Sequence, residues 1–207
     1  MINQFNEKLD IMFPDPKCEL YYNRDYELLI ATVLSAQCTD KRVNEVTSVL
    51  FSNYDIYGLS KAEKKDIERI IRSVGTSSKK SDYIIKIAQS LVDNYNGVVP
   101  NDREYLESLP GVGRKTANVV LSNLFDVPAI AVDTHVERVS KRLKLVRKNA
   151  KVFDVEKKLM KIIPIELWSN THHQMVLFGR YICKAKKPEC DKCLFYEDCS
   201  SKDKKIR

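Results

Sequence analysis

The chain has 207 residues, 43% of them hydrophobic, with 35 Lys and Arg against 28 Asp and Glu and a formal charge of +7 at pH 7. That length supports one large domain or two small ones around a real core, and no apolar run approaches membrane-spanning length, so a soluble protein is expected. The charge is uneven: residues 1–140 carry 17 basic and 20 acidic side chains, residues 141–207 carry 18 and 8, and a basic C-terminal third points to a polyanionic partner.

Along the chain the apolar period is helical. INQFNEKLDIMF (2–13) is amphipathic and ends at Pro14 and Pro16. Met1 leads directly into it without a signal peptide, so a reducing, cytoplasmic setting is expected. Residues 25–36 are apolar enough for a buried helix. Ser60 and Glu63 make a capping-box start for a helix carrying Ile67, Ile70 and Ile71. Ile84, Ile85, Ile87, Ala88, Leu91 and Val92 line another, ending at Asn96-Gly97. NDREYLESL (101–109) reads as a short helix capped by Asn101 or Asp102. Residues 151–163 and 166–182 add two more. AIAV (129–132) is too short to count as a strand. The fold class is all-α.

Between two of these helices stands LPGVGRKT (109–116). Pro110 stops the first helix, and Gly111 and Gly113 permit positive φ and leave the backbone uncovered by any Cβ. The N–H groups opening the next helix then point outward, where the helix dipole also favours an anion. Phosphate oxygens fit there without sequence readout, with Arg114 beside them. Ala117, Val120, Leu121 and Leu124 recur at i, i+3, i+4 and i+7, a buried stripe. At roughly 100° per residue Lys115 lies opposite that stripe. Such a lysine is usually a solvated charge. The alternative is a nucleophile, which attacks only as the neutral amine.

Eighteen positions on, Asp133 precedes Thr134 and Glu137, which are spaced as a capping box, so Asp133 reads equally as a helix cap and as a catalytic carboxylate. Near the C-terminus Cys183, Cys190, Cys193 and Cys199 give C-x6-C-x2-C-x5-C, apart from the isolated Cys18 and Cys38. A reducing setting argues against disulfides. Zinc sites usually show two short-spaced pairs, and only Cys190 and Cys193 are close. The uneven wrap suits an iron–sulfur cubane somewhat better. The loop between the first two, KAKKPE, holds Lys184, Lys186 and Lys187, either a solvated run or a phosphate clamp.

Taken together, these residues resemble the endonuclease III family, the iron–sulfur DNA glycosylases and abasic-site lyases of the helix–hairpin–helix glycosylase superfamily. The resemblance runs from LLIATVLSAQCTDKRVN (28–44) to Cys199, through NGVVP (96–100), LPGVGRKTANVVL (109–121), AIAVDTHVERV (129–139) and HH…FGRYIC (172–183). It implies that Lys115 is the nucleophile and Asp133 the catalytic carboxylate. It further implies that Cys183, Cys190, Cys193 and Cys199 hold a [4Fe-4S] cluster, and that Gln37 fills the gap left by a flipped nucleotide. Gly111, Gly113, Arg114, Lys184, Lys186 and Lys187 are the expected phosphate contacts. The implied architecture is two-lobed. A six-helix lobe spans 19–128 and carries the helix–hairpin–helix at about 104–124; residues 1–18 with 129–207 form the second lobe, with a cluster loop at 183–199. DNA would lie across the cleft, with Lys115 and Asp133 at its mouth. The implied partner is double-stranded DNA containing damaged pyrimidines or abasic sites. The implied reaction removes an oxidised pyrimidine and cuts the strand by β-elimination through a Lys115 Schiff base. A monomer in the cytoplasm, at the nucleoid when bound, is expected.

One stretch departs from the family. Its usual wording near GLYNSKA supplies a leucine wedge, whereas residues 75–81 read GTSSKKS, with Thr76 for the leucine and Ser77 for the tyrosine. An apolar wedge offsets the cost of unstacking. Lys79, Lys80 or a residue near Gln37 then stand as substitute probes. Two rival readings exist. Mismatch glycosylases of the superfamily generally lack the lysine, and the adenine-specific type needs a further C-terminal domain for which there is no room. A non-catalytic hairpin module with structural zinc leaves the Lys115–Asp133 pairing to coincidence. His172 and His173 are expected to be structural, since adjacent helical residues cannot face one site together.

Overall fold

The structure, a computed structural model, describes residues 2–199 and 201–205. Among them are eleven α-helices and no strand: α1 (Ile2–Met12), α2 (Asp25–Leu34), α3 (Asp40–Asn53), α4 (Ile56–Ser60), α5 (Lys64–Ile70), α6 (Ser77–Tyr95), α7 (Arg103–Ser108), α8 (Arg114–Leu124), α9 (Thr134–Arg142), α10 (Val152–Ile162) and α11 (Trp168–Leu177). No helix among the described residues is long and apolar enough to cross a membrane. The chain divides into two compact units, Cys18–Phe125 and Met1–Lys17 with Asp126–Arg207.

In the first unit α2 is the central rod. Glu27 Oε2 accepts from Asn23 N at 2.7 Å and Arg24 N at 3.3 Å, which fixes its start. Tyr26 through Leu34 are all buried. α2 packs against α3, α6 and α8, and α4 and α5 pack on α6. α6 ends as the sequence predicts: Asn96 and Gly97 both take positive φ, and Gly97 N reaches back to Leu91 O at 2.9 Å. α7 is capped by Asp102, which accepts from Tyr105 N at 3.0 Å. The capping box expected at Ser60 and Glu63 does not form. Ser60 closes α4, its hydroxyl donating to Tyr57 O at 2.8 Å, and Glu63 begins α5 without a side-chain bond. The chain breaks between these two short helices, so this unit holds seven helices rather than six.

The second unit is built around one apolar cluster. Phe5 and Leu9 come from α1, and Ile130 and Val132 from a buried non-helical stretch. Val136 and Val139 come from α9, Val155 and Leu159 from α10, Met175 from α11, and Phe178 and Phe195 from beyond it. Each such fully buried side chain contributes about 1.5–3 kcal/mol. Gln174 Nε2 on α11 donates to Asp10 Oδ1 at 2.6 Å and Phe13 O at 3.1 Å, tying the first helix to a late one. α11 runs on into a π-helical turn, Phe178–Ile182. Gly179 sits there because α9 comes close: a Cβ on it would lie 2.8 Å from the His135 Cβ.

Candidate functional site

The hairpin joins α7 to α8. Leu109 and Val112 are buried beneath it, and Val112 N donates to Leu109 O at 3.1 Å. Gly111 holds φ +80°, and a Cβ there would meet Tyr83 Cδ2 at 2.5 Å, so both the turn and the packing demand glycine. Gly113 differs from the expectation. Its φ of −107° is open to any residue, and a Cβ would meet nothing within 4 Å. Glycine there keeps the surface open rather than enabling the turn. α8 begins with no side-chain cap, and its first intrahelical bond runs from Ala117 N to Gly113 O at 2.9 Å. The amides of that first turn have no capping side chain, which suits an anion. Arg114 and Lys115 are exposed, while Ala117 through Ser122 are buried. Lys115 therefore stands on the exposed end of an otherwise buried helix.

Two further exposed tips lie in this unit. Gln37, between α2 and α3, has φ 58°, and Thr76, before α6, has φ 46° and ψ 34°. A left-handed conformation is uncommon for glutamine and strained for a β-branched threonine, at a cost on the order of 1–3 kcal/mol each. Lys80 is no surface probe: it is 4% exposed and spends its ammonium on backbone carbonyls. Lys79 lies over the Tyr83 ring, 5.6 Å from its centroid.

Asp133 belongs to the other unit. It is the N-cap of α9: Oδ1 accepts from His135 N and Val136 N, both at 2.8 Å. The two readings of Asp133 are compatible, because both cap bonds end on one oxygen. They fix the carboxylate's orientation and leave Oδ2 outside the cap. Further along, α9 carries Arg138 at its middle and Arg142 at its end, which the sequence reading passed over. Arg138 donates to Cys183 O at 3.1 Å and Gly179 O at 2.6 Å. Arg142 donates to Lys184 O at 2.7 Å, Ala185 O at 3.2 Å and Cys183 Sγ at 3.4 Å, and pairs with Asp203. Their spacing at i and i+4 on an amphipathic helix was the available signal.

These arginines hold one end of the cysteine loop. Phe195 holds the other, buried between Phe5 and Phe178 with centroids 5.4 Å from each. Cys183, Cys190, Cys193 and Cys199 all line one cavity with Arg142, Ile182 and Phe178, and none forms a disulfide. Among the described residues no three His, Cys, Asp or Glu side chains converge where a single ion would sit. Burial pushes the Cys193 thiol up to about 11 and raises that of Cys183, where Arg142 pulls the other way. Such thiols become ligands only when a cation replaces their protons. Lys184 is tied to Glu189, which also pairs with Lys192 at 2.7 Å. Hydrogen bonds from Lys184 and then Lys192 hold the Glu189 carboxyl down at about 2. The clamp expected of three lysines thus leaves Lys186 and Lys187, both exposed, as the cations turned to solvent. His172 is buried and His173 partly so, their rings 5.0 Å apart on α11.

Residues 30–165 match the family model of the HhH-GPD superfamily base excision DNA repair protein. Endonuclease III of Bacillus subtilis (strain 168) is 47% identical over 203 residues, which cover 96% of this chain and 91% of that one. Among solved structures, a non-covalent endonuclease III–DNA complex is 52% identical with a TM-score of 0.92, covering 97% of this chain and 95% of that one. A trapped endonuclease III–DNA covalent intermediate is likewise 52% identical, with a TM-score of 0.91 and coverages of 97% and 96%.

Proposed function

Since this chain belongs to the endonuclease III family of the HhH-GPD superfamily of base excision DNA repair proteins, we propose that it removes oxidised pyrimidines from double-stranded DNA and cuts the resulting abasic site through a Schiff base on Lys115. It is a DNA glycosylase and abasic-site lyase. The observation that carries the residue assignment is Lys115 itself, exposed on the uncapped first turn of a buried helix. The open amides beside it take a phosphate, and the amine is left for carbon. Lys115 attacks C1′ of the deoxyribose as the base leaves. Asp133, its carboxylate oriented by the cap bonds on Oδ1, stabilises the positive charge that develops on the sugar and takes the proton that the attacking amine loses. The iminium then acidifies C2′. Loss of a proton there expels the 3′ phosphate, which is β-elimination. Gln37 fills the space of the extruded nucleotide, and Gly111, Gly113, Arg114, Lys184, Lys186 and Lys187 serve the DNA backbone, Lys184 through its place in the loop. One chain suffices for this chemistry.

The four cysteines fit a [4Fe-4S] cluster, because they supply four thiols around one cavity, one for each corner of a cubane. Held by these four cysteines, it would contribute structurally, by fixing the loop that carries Lys186 and Lys187. Protein prepared without oxygen is expected to be yellow-brown, with about four irons per chain. Stoichiometric zinc in that preparation would overturn the assignment.

The test of the chemistry is borohydride reduction on abasic duplex. Wild type is expected to form a covalent adduct. Lys115→Gln is expected to lose both the adduct and base removal while binding DNA nearly as before. An adduct from Lys115→Gln at the wild-type rate would place the reactive amine elsewhere.

A further inference from the structure

Lys80 is a buried ammonium without a carboxylate. Its Nζ donates to Leu34 O at 2.9 Å, Ala36 O at 2.8 Å and Val74 O at 3.0 Å. Three donors meet three acceptors, so its capacity is filled. No acidic side chain pairs with it among the described residues, and burial pushes its pKa below the ordinary lysine range. A buried cation balanced only by carbonyl dipoles is expensive, and it is held because it satisfies three backbone carbonyls at once. Leu34 and Ala36 lie at the C-terminal end of α2, so capping that helix accounts for two of the three bonds. It does not account for the third. Val74 belongs to another loop, forty residues further on. The residue after Ala36 is Gln37, and two residues after Val74 comes Thr76, each exposed and each left-handed. Strained non-glycine residues persist where the surroundings over-determine them, and they cluster at functional sites.

We infer that Lys80 is a positioning residue that locks the Gln37 tip and the Thr76 tip into one two-pronged probe, which enters the duplex at the lesion as a unit. The inference rests on the reading of this chain as a glycosylase that flips its target. Thr76 supplies less apolar bulk than a leucine, so the work of holding a stacked nucleotide out falls on both prongs together. Abasic sites, already poorly stacked, make less demand on the probe.

The test uses the iron-loaded holoenzyme and Lys80→Met, with rates normalised to the fraction that borohydride traps on abasic DNA. Excision of a stacked dihydrothymine from duplex is expected to fall by about tenfold to a hundredfold, the scale of a small misplacement, with cleavage of the abasic site nearly unchanged. A merely structural role lowers the trappable fraction but moves neither normalised rate. Equal falls in both rates, or no fall in either, would overturn the inference. Should Lys80→Met fail to fold, hydrogen exchange on wild type decides it. Amides of residues 36–38 and 74–77 are expected to slow together on binding a duplex with a tetrahydrofuran abasic analogue, and slowing at one tip alone would overturn the coupling. Absence of any trapped adduct from wild type would instead sink the glycosylase–lyase reading, which the exchange pattern does not touch.

Discussion

On the proposed mechanism Asp133 serves fold and chemistry with one carboxylate, and substitution separates the two. Asparagine keeps an oxygen at the cap and removes the charge. Asp133→Asn is therefore expected to melt near wild type and to excise its lesion about a hundredfold or more slowly in single-turnover assays. Asp133→Ala loses the cap as well, at about 1 kcal/mol further in denaturant titration. Full activity in folded Asp133→Asn would leave the residue only its structural role. The hairpin glycines divide in the same way. Gly111→Ala forces φ +80° and the Tyr83 contact on a methyl group, so it should destabilise by about 1 kcal/mol or more. Gly113→Ala meets nothing, so stability should hold while affinity for DNA falls, because the methyl stands where the phosphate approaches. His173 adds a pH signature. Burial lowers its pKa below 6.5, so the unfolded chain takes up the proton first as pH falls. Its contribution to stability is intact above about pH 6.5 and declines below it, until the folded state also protonates. His173→Gln should flatten that part of the stability profile.

The elements were largely legible in advance where periodicity and capping agreed. α7 with Asp102, α8 with its buried stripe and the end of α6 at Asn96-Gly97 all stand where the pattern put them. The Ser60 cap failed because a serine hydroxyl can also close the preceding turn, and sequence does not say which. Long-range partners were invisible: Lys80 reads as a surface charge until Leu34, Ala36 and Val74 are seen around it. Phe195 was hidden in the same way, as one aromatic among cysteines. It is the peg that fastens the cysteine loop to the core of its unit. Phe195→Ala should cost about 3–5 kcal/mol and loosen that loop. Iron content and the visible spectrum should then decay faster in air than in wild type. A variant as stable and as iron-retentive as wild type would show that the loop holds without its peg.

At the scale of the whole molecule, charge and architecture divide along the same line. The unit Cys18–Phe125 carries 14 basic and 14 acidic residues, so the surplus of +7 lies wholly in the other unit. On the proposed reading, the hairpin unit offers phosphate its first-turn amides beside Arg114, and the cysteine-loop unit adds the surplus of full charges. Replacing both Lys186 and Lys187 by Ala should flatten the dependence of log K on log salt by about 2, since each neutralised phosphate contributes about 0.9. Gly113→Ala should weaken binding with that slope unchanged. The same partition of the chain also sets an order of assembly. α1 is made well before the rest of its unit, and it buries Phe5 and Leu9 in one cluster with Val155, Leu159, Met175, Phe178 and Phe195. At the pace of translation those partners emerge roughly ten seconds or more later. The intervening unit can finish folding on the ribosome while the N-terminal helix waits with its apolar face uncovered, a natural docking interval for a chaperone.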